Sequence, residues 1–321
     1  MTDIRKCGII GVGNVGATTA FSLMKSGLFS EMVLIDINRE RAAGEAADLN
    51  HGLPFLAPME IYAGDYRDLR DAGLVIITAG AAQKPGETRL DLVRANARVF
   101  RTVTREICKY NTECIILVVT NPVDVLTEVT RRLSGFPAAR VIGSGTVLDT
   151  ARLKYLLGKR LGVDSRNVHA FIIGEHGDSE LPVFSSANIS GIDLNSFQKN
   201  GVDPLTADTL HELFVEVRDA AYGIIASKGA TYYAIAEAVR RIVTAIVRDE
   251  QAILPVSVSP SGHYGLRDVS VSLPAVVGQS GIVRVLETPL SDEELRLLHA
   301  SAKKIKEALA GLDLEPIKIN T

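Results

Sequence analysis

The 321-residue sequence has no tryptophan, only 5% aromatic residues and just three cysteines. Cys7, Cys108 and Cys114 form no C-x-x-C pair. An odd number of isolated cysteines excludes a closed disulfide framework and argues against a zinc site. Cys7 and Cys114 each begin a β-like apolar run, so we expect buried core thiols in a reducing, cytoplasmic compartment.

Long apolar runs and a surplus of one charge are missing as well. No stretch approaches the roughly eighteen consecutive apolar residues of a membrane-spanning helix, so no membrane partner is expected. The apolar start of the chain is interrupted by Gly, Asn and Thr, which is unlike a signal peptide. The net charge of −3 gives no reason to expect nucleic acid as a partner. What is present, 46% hydrophobic and 23% charged residues, is typical of a folded globular chain.

The first half of the chain alternates β-branched runs with amphipathic helical patterns. The predicted strands are residues 6–10, 32–37, 74–78 and 115–120, and the predicted helices are residues 14–25, 39–50 and 93–110. Strand–helix–strand alternation predicts an α/β fold with a doubly wound parallel sheet, the Rossmann arrangement.

The pattern changes near residue 144, where we place a domain boundary. A helix at 149–161 and a strand at 168–173 are followed by two helical stretches that meet at Ser227-Lys228-Gly229. Antiparallel strands are predicted at 256–258 and 269–273, and a capping box at Ser291 begins the last helix. The sequence therefore predicts residues 1–144 as a Rossmann domain and 145–321 as an α+β substrate domain. The helix near 231–248 could pack back on the first domain.

A glycine-rich turn joins the first predicted strand to the first helix. Its sequence is Gly11-Val12-Gly13-Asn14-Val15-Gly16, and Asp36 closes the next strand twenty residues after Gly16. This context favours a dinucleotide whose pyrophosphate lies on the helix N-terminus. A carboxylate at Asp36 would accept ribose hydroxyls and repel a 2′-phosphate, which favours NAD over NADP. The alternative is a glycine turn with an aspartate that only caps the next helix.

Two further strand ends lie at the edge of the sheet where ligands bind in such folds. Thr78-Ala79-Gly80 follows one strand and begins a loop over residues 79–90, which is either a lid or a solvated loop. Thr120-Asn121-Pro122 ends the other strand. We assign Thr78, Ala79, Gly80 and Asn121 to the cofactor site, although Asn121 could also be only a helix N-cap.

A histidine between glycines is the strongest candidate for proton transfer. His176 lies in Gly174-Glu175-His176-Gly177, after an apolar strand. Asp149 and Arg152 are three residues apart and share one face of a helix. They could orient a histidine and grip a substrate carboxylate. The alternatives are a surface histidine and an intrahelical salt bridge.

These segments together resemble the NAD-dependent L-lactate/malate dehydrogenase family, and its L-lactate dehydrogenases most closely. The resemblance covers residues 8 to about 236, and the tail also fits. The matching motifs are GVGNVG, VLIDIN, AGAAQKPGETRLDLVRAN, VVTNPVD, GSGTVLDTARLK, IIGEHGDSE and KGATYYAIA.

The resemblance implies a role for each candidate residue. His176 would be the proton donor and acceptor, and Asp149 would hold its other ring nitrogen. Arg152 would anchor the substrate carboxylate, and Arg89 would polarise the ketone. The reaction would be reversible reduction of pyruvate by NADH to L-lactate and NAD⁺.

The resemblance also places Gln83, Asn121 and Thr231 in the substrate pocket. An arginine at the position of Gln83 pairs the second carboxylate of oxaloacetate in this family. The neutral Gln83 makes that carboxylate costly to bury, which favours pyruvate and lactate. The neighbouring Lys84 could swing inward, so a malate dehydrogenase stays open, as does a non-catalytic NAD-binding relative.

Some bacterial relatives bind fructose 1,6-bisphosphate at a subunit interface through a basic residue and a histidine. Lys154 and His169 stand at the matching positions, although a lysine lacks the bidentate geometry of arginine. The alternative is an interface histidine and a solvated lysine. The resemblance further implies a homotetramer. The other histidines show no ligand spacing, so we expect no metal site.

Overall fold

The computed structural model describes residues 3–81, 89–194, 196–197 and 205–317. Six strands of the first half form a parallel sheet in the order β3-β2-β1-β4-β5-β6. Their bounds are β1 (Asp3–Ile10), β2 (Glu31–Ile35), β3 (Glu60–Ala63), β4 (Ala72–Ile77), β5 (Ile115–Val118) and β6 (Val141–Gly143). The predicted Rossmann arrangement is confirmed.

Helices connect these strands. They are α1 (Asn14–Ser26), α2 (Arg39–Gly52), α3 (Arg89–Tyr110) and α4 (Val123–Ser134). Every residue of β4 and β5 is buried, as expected for strands covered by helices on both faces. Because β1, β4 and β5 are parallel, their carboxyl ends meet at one edge of the sheet. The glycine-rich turn, Thr78 and Asn121 follow them there.

The second half of the chain contributes the remaining elements. They are α5 (Val147–Leu161), β7 (Val168–Ile173), β8 (Leu181–Ile189), β9 (Ile192–Asp193), α6 (Ala207–Lys228), α7 (Tyr233–Val247), β10 (Ala252–Val258), β11 (Val271–Gly278), β12 (Gly281–Val285) and α8 (Asp292–Leu309). Strands β7, β8 and β9 form a separate antiparallel sheet. A second apolar core joins this sheet to α5 and α6 through Leu153, Leu157, Val168 and Leu210. The α+β character predicted for this half is confirmed.

The late antiparallel strands belong to the large sheet. Strands β10 and β11 pair antiparallel as predicted, but β10 also pairs with β6 through Ser257 and Gly143. A Cβ atom on Gly143 would lie 2.7 Å from Cβ of Ser257, so a glycine is needed for this approach. The sheet thus contains strands from both halves of the chain.

The helix α7 packs on α1 of the first half, where Ser22 Oγ donates to Glu237 Oε1 at 2.7 Å.

Several local predictions are confirmed. The Ser291 side chain accepts from the Glu294 backbone N–H, and the Glu294 carboxylate accepts from the Ser291 N–H, which completes the capping box of α8. The three cysteines are free and buried. Burial raises the pKa of Cys108 to about 11 and of Cys114 to about 12, as expected of core thiols. Among the described helices, none combines the length and apolar character needed to cross a bilayer.

Candidate active site

The glycine-rich turn forms a cradle at the end of β1. Gly11 has φ of +90°, and a Cβ atom there would lie 2.5 Å from the backbone of Ala79. A Cβ atom on Gly16 would clash with the carbonyl oxygen of Gly11. Gly13 faces open space in the described part of the chain and is the N-cap of α1. The turn therefore brings backbone close to a ligand at the positive end of a helix.

Asp36 is held rigidly beside this turn. Its Oδ2 accepts from the Val12 N–H at 2.8 Å, and its Oδ1 accepts from the Asn38 N–H at 2.9 Å. The N-cap of α2 is Asn38, whose side chain accepts from Arg41 N–H, so the idea that Asp36 only caps the helix is wrong. Each carboxylate oxygen keeps a second lone pair, with which it can accept a ribose hydroxyl.

A cleft of 720 Å³ runs from Asp36 along the carboxyl edge of the sheet. Ile37, which is fully exposed on its rim, offers an apolar surface for a flat ring. Six of the predicted cofactor residues line this cleft: Gly11, Gly13, Asp36, Thr78, Ala79 and Gly80. Asn14, Val15 and Gly16 begin α1 at the same end. These residues fit a dinucleotide, with the pyrophosphate on the turn and a ribose at Asp36.

His176, Asp149 and Arg152 meet in one cluster. His176 Nδ1 and Asp149 Oδ2 lie 2.6 Å apart, and Arg152 Nη1 donates to Asp149 Oδ1 at 2.8 Å. Asp149 is 2% exposed, whereas the His176 side chain is 23% exposed. The intrahelical salt bridge and the orientation of the histidine therefore occur together, because Asp149 uses a different oxygen for each.

The backbone of His176 is fixed by a residue that the sequence did not single out. The His176 N–H donates to Asp124 Oδ2 at 2.7 Å, and Ser272 Oγ donates to Asp124 Oδ1 at 2.9 Å. Asp124 lies in the first turn of α4 and is buried, three residues after Asn121. His176 is thereby tied to the end of β5, beside the strand ends that line the cleft. The signal available was an aspartate inside the VVTNPVD motif.

The imidazole of His176 has an unusually high proton affinity. Burial lowers its pKa, but the charge and hydrogen bond of Asp149, aided by Glu180 and Asp124, outweigh burial and raise the pKa to about 9. Burial works against the Asp149 carboxylate as well, yet His176 and Arg152 hold its pKa below the usual value. At neutral pH the pair is therefore imidazolium and carboxylate.

Glu180 is a second residue missed at the sequence level. Its Oε2 lies 4.0 Å from His176 Nδ1, and with Asp149 the three residues form the one trio of possible metal-binding side chains among the described residues. Because the hydrogen bond from His176 and the Arg152 cation already engage Asp149, we assign proton transfer to His176 with Asp149 and treat Glu180 as a neighbour of that pair. Its signal was the motif IIGEHGDSE, which ends at Glu180.

The remaining substrate candidates are not joined to the His176 cluster by any hydrogen bond among the described residues. Asn121 is exposed at the end of β5, and Pro122 rather than Asn121 is the N-cap of α4, so the N-cap alternative is wrong. Thr231 is half-buried just before α7. Gln83, its neighbour Lys84 and the side chain of Arg89 lie outside the described residues.

The two effector candidates lie on neighbouring elements of the second half. Lys154 is half-buried on α5, and burial lowers the pKa of its ammonium group. His169 is exposed on β7, which packs against α5. An exposed imidazole on β7 and a partly desolvated lysine on the neighbouring α5 are compatible with an anion site.

Comparison with known proteins relates both halves of the chain to one family. Residues 5–143 match the NAD-binding domain of lactate/malate dehydrogenases, and residues 146–312 match their alpha/beta C-terminal domain. The L-lactate dehydrogenase of Acetivibrio thermocellus is 55% identical over 97% of this chain and 98% of its own length. That of Priestia megaterium is 51% identical over 94% and 95% of the two chains.

Solved structures agree with the sequence comparisons. The minor L-lactate dehydrogenase of Enterococcus mundtii has a TM-score of 0.93 and 40% identity, covering 97% of this chain and 99% of its own. A lactate dehydrogenase from a Medee basin deep-sea metagenome has a TM-score of 0.92 and 44% identity, covering 96% and 98%. We conclude that this chain belongs to the lactate/malate dehydrogenase family, with NAD as its cofactor.

Proposed function

We propose that the protein is an NAD-dependent L-lactate dehydrogenase that interconverts pyruvate and L-lactate. The observation that carries the proposal is the cluster of His176, Asp149 and Arg152, tied by Asp124 to the edge of the dinucleotide cleft. The relatives named L-lactate dehydrogenase, at 51% and 55% identity, support the same activity.

The described residues account for the proton and for the substrate carboxylate. When bound, NADH supplies the hydride. His176 Nδ1 is engaged by Asp149, so Nε2 is left to donate its proton to the ketone oxygen. Arg152 uses one N–H for Asp149 and keeps further donors for two parallel hydrogen bonds to the substrate carboxylate. Arg89 would stabilise the developing alkoxide, and Asn121 and Thr231 would shape the pocket.

Substrate choice is expected to depend on Gln83. Replacing Gln83 with arginine would place a cation where the second carboxylate of oxaloacetate would lie, so we expect kcat/KM to move from pyruvate toward oxaloacetate. A bidentate arginine–carboxylate pair would change the ratio by about two orders of magnitude. Steady-state kinetics of the wild type and of Gln83→Arg on a panel of 2-oxo acids would measure this ratio. A wild-type enzyme that favours oxaloacetate over pyruvate would reject the assignment.

Assembly and regulation are proposed on the resemblance and on two positions of the chain. We propose a cytoplasmic homotetramer in which Lys154 and His169 help to bind fructose 1,6-bisphosphate between subunits. The lysine on α5 supplies positive charge for a phosphate, and the exposed imidazole on β7 offers a hydrogen-bond donor. The buried free thiols suit a reducing compartment.

The bisphosphate should lower the KM for pyruvate in the wild type. We expect His169→Gln together with Lys154→Gln to abolish this response and to leave the rate without effector within about twofold. Initial rates with and without the bisphosphate between pH 5 and 8 would test it. No response of the wild type across that range would end the idea.

A further inference from the structure

We propose that Glu180 is a positioning residue that acts through His176, holding the proton on the imidazole in alkaline solution; this rests on the proposed role of His176. The Glu180 residue is 5% exposed, and its Oε2 lies 4.0 Å from His176 Nδ1. Within the described residues, its Oε1 has no hydrogen-bond partner. The Gly177 backbone N–H donates to this carboxyl group, so the loop satisfies only part of a buried acid that faces the imidazole.

The loop geometry brings the two side chains close together. The Glu180 N–H donates to the Gly177 carbonyl at 3.0 Å, which closes a turn directly after His176. At the other end, the His176 N–H is held by Asp124. The Gly177 N–H also donates to the Glu180 carboxyl group, so the turn and this hydrogen bond together keep that group near the imidazole.

Other charges face this pair from the elements packed around it. Asp149 and Arg152 come from α5, Asp124 comes from α4, and Asp178 lies on the same loop. Arg218 on α6 interacts electrostatically with Glu180, but its guanidinium is paired with another carboxylate, with Arg218 Nε 2.8 Å from Asp219 Oδ1. Among these carboxyl groups, Glu180 is the one with an oxygen, Oε1, that has no hydrogen-bond partner in the described chain.

Glu180 changes charge in the range that matters for His176. Burial, followed by the negative charge of Asp149, raises the pKa of Glu180 to about 8. At neutral pH the Glu180 carboxyl group is uncharged and does not raise the proton affinity of His176. Above that range it becomes an anion beside the imidazolium, and an anion raises the proton affinity of a neighbouring base. The deprotonation of His176 is therefore delayed.

The test is Glu180→Gln, which has the same shape as the neutral acid. Below pH 7 we expect kcat/KM for pyruvate to stay within about twofold of the wild type. Above it, the alkaline fall in kcat/KM should begin about one pH unit lower, so that the variant is several-fold slower near pH 9. Glu180→Asp restores the charge at a greater distance, and its profile should fall between the two.

A second readout needs no turnover. Diethyl pyrocarbonate carbethoxylates only the neutral imidazole, and its rate at His176 can be followed by mass spectrometry of the peptide. The apparent pKa from this profile should drop by about one unit in Glu180→Gln. If the wild type failed to reduce pyruvate but this shift were present, the proposed function would be rejected and the Glu180 inference retained.

Glu294→Gln is the matched control, because Glu294 is also a buried carboxylate but is held by Ser185 and Ser291. It should lower Tm without moving either profile. A folded Glu180→Gln variant with wild-type profiles would overturn the inference. So would a loss of rate that is equal at every pH, since that result indicates only a packing role.

Discussion

The His176→Asn variant should lose about a thousandfold in kcat for pyruvate reduction while binding NADH within about twofold of the wild type. An asparagine amide can still reach Asp149, so the cluster keeps its packing. It has no proton to give at the position of Nε2, and water would have to protonate the alkoxide. Loss of NADH absorbance gives the rate, and a fluorescence titration of NADH gives the affinity.

His211→Asn is the matched control, because His211 is exposed on α6 and takes no part in the hydrogen bonds that join the cluster. Its kcat should equal that of the wild type. Retention of activity in His176→Asn would place the proton donor elsewhere. Loss of NADH binding together with activity would mean that the substitution damages the cleft, which a circular dichroism spectrum would reveal.

The cofactor site was predictable because its parts are local in sequence. The turn from Gly11 to Gly16 and the carboxylate of Asp36 lie within one strand–helix–strand unit, and backbone geometry fixes their positions. What the sequence left open was the alternative role of Asp36 as a helix cap. That alternative depended on which residue, Asp36 or Asn38, takes the cap position, and patterns of this kind do not resolve one or two residues.

The catalytic cluster was predictable only in part, because its contacts are long-range. Asp149 and His176 are 27 positions apart, and Asp124 and His176 are 52 apart. The resemblance supplied the first pair, but no local pattern indicates that a buried aspartate accepts from the His176 backbone. The joining of β10 to β6 was missed for the same reason, since it depends on a close approach at Gly143 between distant segments.

Glu180 shows why the burial of a charged side chain could not be predicted from the sequence. A glutamate four residues after His176 reads as a polar loop residue, because charged side chains are rarely buried. Only the fold shows that the turn carries it inward to the imidazole. Proton affinities at this site are thus a tertiary property, set by how three carboxyl groups are packed around one ring.

The strongest test of that electrostatic arrangement is Asp149→Asn. We expect kcat/KM for pyruvate at pH 7 to fall by about two to three orders of magnitude, because two functions are lost at once. The imidazolium loses the carboxylate that raises its pKa to about 9. Arg152 loses the partner that orients its guanidinium toward the substrate. The measurement is a pH profile of kcat/KM from pH 5 to 10.

The sign of the pH dependence separates charge from position. Removing the negative charge lowers the pKa of His176, so the protonated form needed for reduction is depleted first at high pH. The variant should therefore approach the wild type as the pH falls and diverge from it as the pH rises. Asp164→Asn, which removes an exposed carboxylate paired with Arg166, should leave the profile unchanged. A loss in Asp149→Asn that is the same at every pH would show that Asp149 orients its partners without setting the proton affinity of His176.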